Sequence, residues 1–341
     1  MDVLSDVLLS VRLTGAVFFE VDARSPFATE TPSVAAIGNQ VLAGAEHVIS
    51  FHIVTEGTCW AEAVDGSVPP LALQAGDIVV FPAGNANIIA SAPGMRGTPD
   101  PAMYYRPADR SLPFSLTMTR ESGADRTRFV CGFLGCDARP FNPLLDALPR
   151  IVHAPMSAES RQWLATLVGA AVQASGGQAA GREAMLAKLA ELMFVEAIRT
   201  HLDRLPADAR GWLAGVRDQQ VGEALRLMHG HCADPWTAER LARAVGMSRS
   251  SFAQRFTAYV EIPPMQYLGR WRLQLAAKLL ETGTLSVGQA ASAVGYQSEA
   301  AFNRAFKREV GEAPGVWRRQ RLRSGGGGPA SATEVSMSSP G

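Results

Sequence analysis

The sequence predicts a multidomain α+β protein: an antiparallel β-barrel in front, a pair of long helices behind it, and an all-α segment that uses one unit twice. Three observations carry this. Between about Val17 and Pro155, short apolar runs alternate with Gly, Pro and Asp, the pattern of short strands joined by tight turns. From Ser157 onward the apolar residues recur at helical spacing instead. Near the end, "AVGMSRSSFAQRF" from Ala244 returns as "AVGYQSEAAFNRAF" from Ala293. The offset is 49 for Ala-Val-Gly, and 50 for Ser248/Ser298, Phe252/Phe302, Phe256/Phe306, Val260/Val310 and Pro264/Pro314.

Composition narrows the class. A chain of 341 residues, 47% hydrophobic, is long enough for two domains with separate cores. No apolar run reaches the roughly 18 residues of a membrane span. The opening "MDVLSDVLLSVRL" carries Asp2, Asp6 and Arg12 among apolar residues at helical spacing, so it reads as a surface helix rather than a signal peptide, and a cytoplasmic protein is expected. Four cysteines (Cys59, Cys131, Cys136, Cys232) are too few for a disulfide scaffold and lack a C-x-x-C zinc pattern. The net charge of zero hides an asymmetry. Thr237–Arg323 holds 14 Lys and Arg against six acids, a net of +8, leaving −8 elsewhere. That split suggests a basic module for a polyanion and an acidic module for something else.

Taken in order, the strand-like runs are "GAVFFEV", "HVISFHIV", "CWAEAV", "LALQAGDIVVFPAG", "FSLTMT" and "RFVCGFL". Two amphipathic helices follow, "SAESRQWLATLVGAAVQAS" and "REAMLAKLAELMFVEAIRTHL", joined by the loop "GGQAAG". Such a pair needs a covering surface, either the barrel or a second subunit. "LPADARGW" breaks the pattern and marks a linker. The expected division is 1–156 barrel, 157–204 helical pair for dimerisation, 205–217 linker, 218–323 repeated unit, and 324–341 a disordered Gly/Ser-rich tail.

Each repeat reads as helix, tight turn, helix. Thr237 caps the first helix of one copy, and Ser286, three residues before Gln289, opens a capping box in the other. Gly246 and Gly295 end those helices. Ser248 and Ser298 cap the next helices, whose buried stripes are Phe252/Phe256 and Phe302/Phe306. Small Ala242 and Ala291 sit where the helices approach, which is a helix-turn-helix arrangement. A bundle with no other role would explain the phenylalanines but not the positive charge. Between the copies, "MQYLGRWRLQLAAKLLETG" forms a helix that holds them about 25–30 Å apart. B-DNA presents its major groove on one face every ~34 Å, so duplication lets one chain read two grooves.

Residues 218–322 closely resemble the DNA-binding domain of AraC/XylS-type transcription regulators, in "MSRSSFAQRF", "PMQYLGRWRLQLAAKLL" and "VGYQSEAAFNRAFKREVGEAPGVWRR". The resemblance implies a first recognition helix at Arg249–Ala258, with Arg249, Ser250, Ala253 and Gln254 facing DNA. It implies a second at Glu299–Glu309, with Glu299, Ala300, Asn303, Arg304 and Lys307 facing DNA. Gln and Asn can pair with adenine, Arg with guanine or phosphate, and alanine methyls with thymine. The amide ends of the helices capped by Thr237 and Ser286 are expected phosphate contacts. The implied partners are double-stranded promoter or operator DNA, RNA polymerase and a second copy of the chain, with no membrane.

The front half resembles the cupin-type sensor attached to many such regulators, in "HVISFHIVTEGTCW", "LQAGDIVVFPAG" and "FVCGFLGCD". The expected fold is thus a cupin-like antiparallel β-barrel with a helical pair, followed by an all-α tandem helix-turn-helix. A metal-binding cupin would use Glu46, His47, His52 and a further histidine, but Asn87 lies near that last position. His47 and His52, five apart, point to opposite faces of a regular strand, so no metal and no cofactor is expected. Two inputs remain open. An apolar or aromatic effector would sit near Phe51, Trp60 and Phe81, whereas an oxidant would act on Cys131 or Cys136, where Arg128 and Arg139 could lower a thiol pKa. The functional expectation is a sequence-specific transcription factor without enzymatic activity. The competing reading is a cupin-fold metal-dependent enzyme with a helical appendage.

Overall fold

A computed structural model describes residues 2–107, 112–118, 125–157 and 181–325. The long helix expected from Ser157, with residues 158–175, and the tail from 326 lie outside them. The front half contains β1 (Thr14–Arg24), β2 (Ala28–Thr31), β3 (His47–Glu56), β4 (Thr58–Ala63), β5 (Leu71–Gln74), β6 (Asp77–Phe81), β7 (Asn87–Ala90), β8 (Phe114–Met118), β9 (Arg126–Cys136) and β10 (Val152–Pro155). They form two sheets, ordered β10-β6-β3-β9-β1-β8 and β2-β7-β4-β5. Every described pairing is antiparallel except β1 with β8. Phe27, Cys59, Leu73, Phe81, Ile89 and Phe129 fill the core shared by the two sheets.

Alternation explains the second layer. In β3, Val48 and Val54 join that inter-sheet core, whereas Ile49, Phe51 and Ile53 face away and are buried as well. A sheet covered on both faces needs near-continuous apolar strands, which is why "HVISFHIV" shows little polar alternation. The cover is α4 (Arg182–Asp203), which lays Leu186, Leu189, Met193 and Ile198 on the six-stranded sheet. Gly15 makes the close approach to β1 possible. A β-carbon there would lie 2.3 Å from the carbonyl oxygen of Ala187. The apolar stripe of this helix therefore has its covering surface within the chain.

Three further helices lie in the front half: α1 (Val3–Ser10) and α3 (Pro143–Ala147), which pack against the back half, and α2 (Val34–Val41), which packs on the inter-sheet core. Asp2 caps α1 by accepting from Ser5 N–H at 2.9 Å. This helix is not a free surface helix, because Val3, Leu4 and Val7 are buried in the core that continues into the back half.

The back half is helical: α5 (Trp212–Arg217), α6 (Gln219–Gly230), α7 (Ala238–Ala244), α8 (Arg249–Val260), α9 (Pro264–Glu281), α10 (Val287–Ala293), α11 (Glu299–Val310) and α12 (Pro314–Gly325). The expected linker of 205–217 narrows, since Trp212 and Leu213 are buried in α5 and pack with the first unit. The first unit shares one apolar core with α1, α3, α4 and the six-stranded sheet. The second has its own, built from Leu273, Ala277, Ala291, Phe302, Phe306 and Trp317.

Each half buries one neutral imidazole in a defined tautomer. Asn87 uses its amide N–H groups on Ser50 Oγ and the carbonyl of Asn85, both at 3.1 Å, so its Oδ1 accepts from His52 Nε2–H at 2.7 Å. His52 Nδ1 then accepts from the Cys131 thiol at 2.9 Å. In the back half, Trp212 Nε1–H donates to Tyr267 Oη, which donates to His229 Nε2 at 2.8 Å. His229 stacks on Trp271 with ring centroids 3.9 Å apart.

Burial holds His52 down to about 4 and His229 down to about 3, from an ordinary value of 6.5. Both are neutral when folded, so their contribution is complete above pH 6.5 and is lost as pH falls below it, because only the unfolded chain then takes up the protons. Each should cost about 1.4 kcal/mol per pH unit in that window. The urea midpoint should therefore drop between about pH 7.5 and pH 5. A midpoint that stays level would show that the imidazoles are not buried neutral.

Candidate nucleic-acid interface

The two reading units are assembled by the local interactions that the repeat anticipates. Thr237 Oγ1 accepts from Arg240 N–H at 3.1 Å, Ser248 Oγ from Ser251 N–H at 3.2 Å, and Ser298 Oγ from Ala301 N–H at 3.2 Å. Ser286 and Gln289 form the reciprocal capping box, at 3.1 and 2.8 Å. Gly246 and Gly295 take φ of +71° and +86° at the ends of α7 and α10. Gly295 also has no room for a side chain, since a β-carbon would lie 2.5 Å from the carbonyl oxygen of Ala233 in the first unit. That contact presses the two units together.

Burying Phe252 and Phe256 turns the opposite face of α8 outward, and burying Phe302 and Phe306 does the same for α11. Arg249, Ser250 and Gln254 are exposed on α8, with Ala253 half-buried. On α11, Glu299, Ala300, Arg304 and Lys307 are exposed, with Asn303 half-buried. Apart from Glu299, each helix thus carries its own expected residues away from the buried phenylalanines. The hydroxyls of Thr237 and Ser286 are exposed but are already used as helix caps.

Several arginines elsewhere in the back half are paired with carboxylates. Arg226, Arg243 and Arg255 pair with Glu223, Glu239 and Asp218. Arg270 Nε lies 2.7 Å from Glu309. Arg249, Arg304 and Lys307 have no carboxylate partner among the described residues. Arg308, one helical turn beyond Arg304 and also exposed, belongs with them. Sequence reasoning omitted it, although its i,i+4 spacing from Arg304 was a usable signal. Glu299 is turned back toward α10, where a β-carbon on Gly288 would be 2.6 Å from Oε2.

The sensor candidates fall in different places. Phe51 lies on the outer face of the six-stranded sheet and Phe81 between the sheets. Trp60 alternates with buried Cys59 and Ala61, so it faces away from that interior. The three therefore lie in three layers, which corrects the expectation of one pocket lined by all of them. Cys131 belongs to the inter-sheet core and Cys136 to the opposite face of β9, so this fold does not bring the two thiols together. Burial pushes Cys136 up to about 12 and raises Cys131 still further, against the expected lowering by Arg128 and Arg139. Arg128 instead pairs with Glu20, and Arg139 with Glu46.

Glu46, His47 and His52 are likewise drawn apart. His47 Nε2–H donates to the Pro82 carbonyl at 2.6 Å, His52 is engaged with Asn87 and Cys131, and Glu46 accepts from Ala138 and Arg139. Among the described residues no group of three or more His, Cys, Asp or Glu could hold a metal ion.

Comparison with known proteins agrees with both halves. A cupin family profile matches residues 2–203, and a helix-turn-helix domain profile matches residues 241–320. An AraC-like transcription regulator of Streptomyces lividans is 34% identical, over 81% of this chain and 88% of its own length. The HTH-type transcriptional regulator AlkR of Acinetobacter baylyi is 31% identical, over 81% and 89%. Among solved structures, the DNA-binding domain of AdpA in complex with a target DNA aligns at 32% identity with 32% of this chain and 99% of that one, at a TM-score of 0.31. The cupin profile covers more than half of the chain and the two regulators align over most of their own lengths, so this chain belongs to the AraC-like transcription regulators, with a cupin domain in front of its helix-turn-helix units.

Proposed function

We propose that this regulator reads a two-block site in double-stranded DNA, with α8 and α11 in successive major grooves, and that its cupin domain adjusts that reading in response to a small molecule or an oxidant. The observation that carries the proposal is the pair of outward helix faces on which Arg249, Arg304 and Lys307 stand exposed with no carboxylate partner among the described residues. Unpaired cations arrayed on a helix are suited to phosphates and guanine edges. Gln254 and Asn303 add amides suited to adenine. The relatives are transcription regulators, and we read this chain as acting by binding, without catalysis, in the cytoplasm. RNA polymerase is the partner through which a bound regulator would act.

On the sensing side, both Cys131 and Cys136 are buried, so an oxidant would reach them only when the sheet opens. We further propose a homodimer that involves the 157–204 segment. Met185 and Leu192, 42% and 48% exposed on α4, support it as apolar surface left over once the sheet side is covered. Sedimentation at micromolar concentration should show a dimer without DNA, and a monomer alone would remove this part of the proposal.

Two measurements test the DNA reading. Affinity for duplex DNA should fall steeply between about 50 and 200 mM salt, because each neutralised phosphate releases a counterion. A flat response would remove the basic faces from the interface. Arg304→Ala should weaken binding to a preferred sequence by about 1–3 kcal/mol if the guanidinium reads a base edge. An equal loss on every sequence would assign Arg304 to phosphate, and no loss at all would place it outside the interface.

A further inference from the structure

The two reading units are attached to the cupin domain in different ways. The first is fused to it by hydrocarbon, since Trp212, Leu225, Phe256 and Trp271 lie in the same core as Val7 and Phe141 of the front half. The second has a core of its own and meets the cupin domain through polar groups. The centre of that contact is Arg321 on α12. Its side chain is only 12% exposed, and it pairs with Glu46, lies 3.7 Å from Asp137, and lies 3.3 Å from Glu281 at the end of α9. Glu46 and Asp137 are themselves 10% and 9% exposed, so the cluster is largely withdrawn from water.

The carboxylates are held in place from the cupin side. Glu46 accepts from the backbone N–H groups of Ala138 and Arg139, at 3.1 and 3.0 Å, and from the Arg139 guanidinium at 2.9 Å. Arg12 approaches Asp137 at 3.6 Å. On the other side, the Arg321 guanidinium lies 4.3 Å from the centre of the Trp317 ring, and Trp317 packs edge-on against Phe306 of α11 at 6.0 Å. A fixed pair of carboxylates thus meets a guanidinium seated on the aromatic core that carries the second recognition helix.

We propose that Glu46 and Asp137 act through Arg321 as positioning residues that set α11 relative to α8, so that the cupin domain determines which separation of the two DNA blocks the protein accepts. This rests on the two-groove reading above. The physical ground is the contrast between the two joints. A shared hydrocarbon core is close-packed and resists displacement, so α8 moves with the cupin domain. A partly buried ionic cluster is specific in geometry, and removing one partner leaves the other charges uncompensated. Each base pair added between the blocks moves the second by about 3.4 Å along the duplex and about 34° around it, so modest freedom at this joint is enough to change the accepted spacing.

The test uses the full chain and the duplex it prefers from a random pool, together with versions of that duplex lengthened or shortened by one base pair between the blocks. Wild type should bind the altered spacings about tenfold or more weakly. Arg321→Leu and Glu46→Gln should each reduce that discrimination to about twofold, while binding to a duplex carrying only the first block stays unchanged. The Gln variant keeps the size and hydrogen-bonding oxygen of the side chain, and the first-block duplex checks that the protein is folded. Variants that retain the wild-type spacing ratio would overturn the proposal. A wild-type protein that selects only one block would overturn the two-groove reading, and this inference with it.

Discussion

One continuous apolar core, running from the six-stranded sheet through α4 and α1 into the first helix-turn-helix unit, is the constraint on which the rest of the molecule depends. It explains why β3 is apolar on its outer face as well as its inter-sheet face, why Gly15 stands where helix and sheet meet, and why α1 is buried rather than exposed. It also makes the first reading unit part of the cupin domain's own packing. The second unit is free of that core and depends on α9, on the contact of Gly295 with Ala233, and on the Arg321 cluster for its orientation.

Charge completes the division of labour. The neutral chain places a net of +8 in Thr237–Arg323, where Arg243, Arg255, Arg270 and Arg321 pair with carboxylates. Arg255 is held by Asp218 and stands over Tyr259, and Arg272 donates to the carbonyls of Cys232 and Asp234. Arg249, Arg304, Lys307 and Arg308 are exposed on α8 and α11 with no carboxylate partner among the described residues, on faces whose direction the packing of the phenylalanines has already fixed.

The helical half was legible in the sequence because its determinants are local. Caps, capping box, left-handed glycines and i,i+4 phenylalanines act within a few residues of one another, and all of them stand where the repeat puts them. The repeat was also informative where its copies differ. The end of α8 has Glu261 at φ +66°, where the second copy has Gly311 at +91°, so a position that favours glycine carries a glutamate in one copy. The front half was less legible. The strands "ATET" and "VHAP" carry little apolar signal, and "NIIA" is only four residues long, so pairing partners far along the chain define them. The pocket expected from Phe51, Trp60 and Phe81 failed for a related reason: residue type indicates burial, but only strand register indicates which side of which sheet is buried. Arg321 was visible only as one of a run of arginines, because Glu46 and Asp137 are far away in sequence.

The central claim is that one chain carries two reading helices held in fixed relation. Selection of bound DNA from a pool of random duplexes by the full-length protein tests it most directly. Two preferred blocks with centres about 10 base pairs apart are the predicted result, since that separation puts successive major grooves on one face of the duplex. A single short block, or no sequence preference at all, would contradict it.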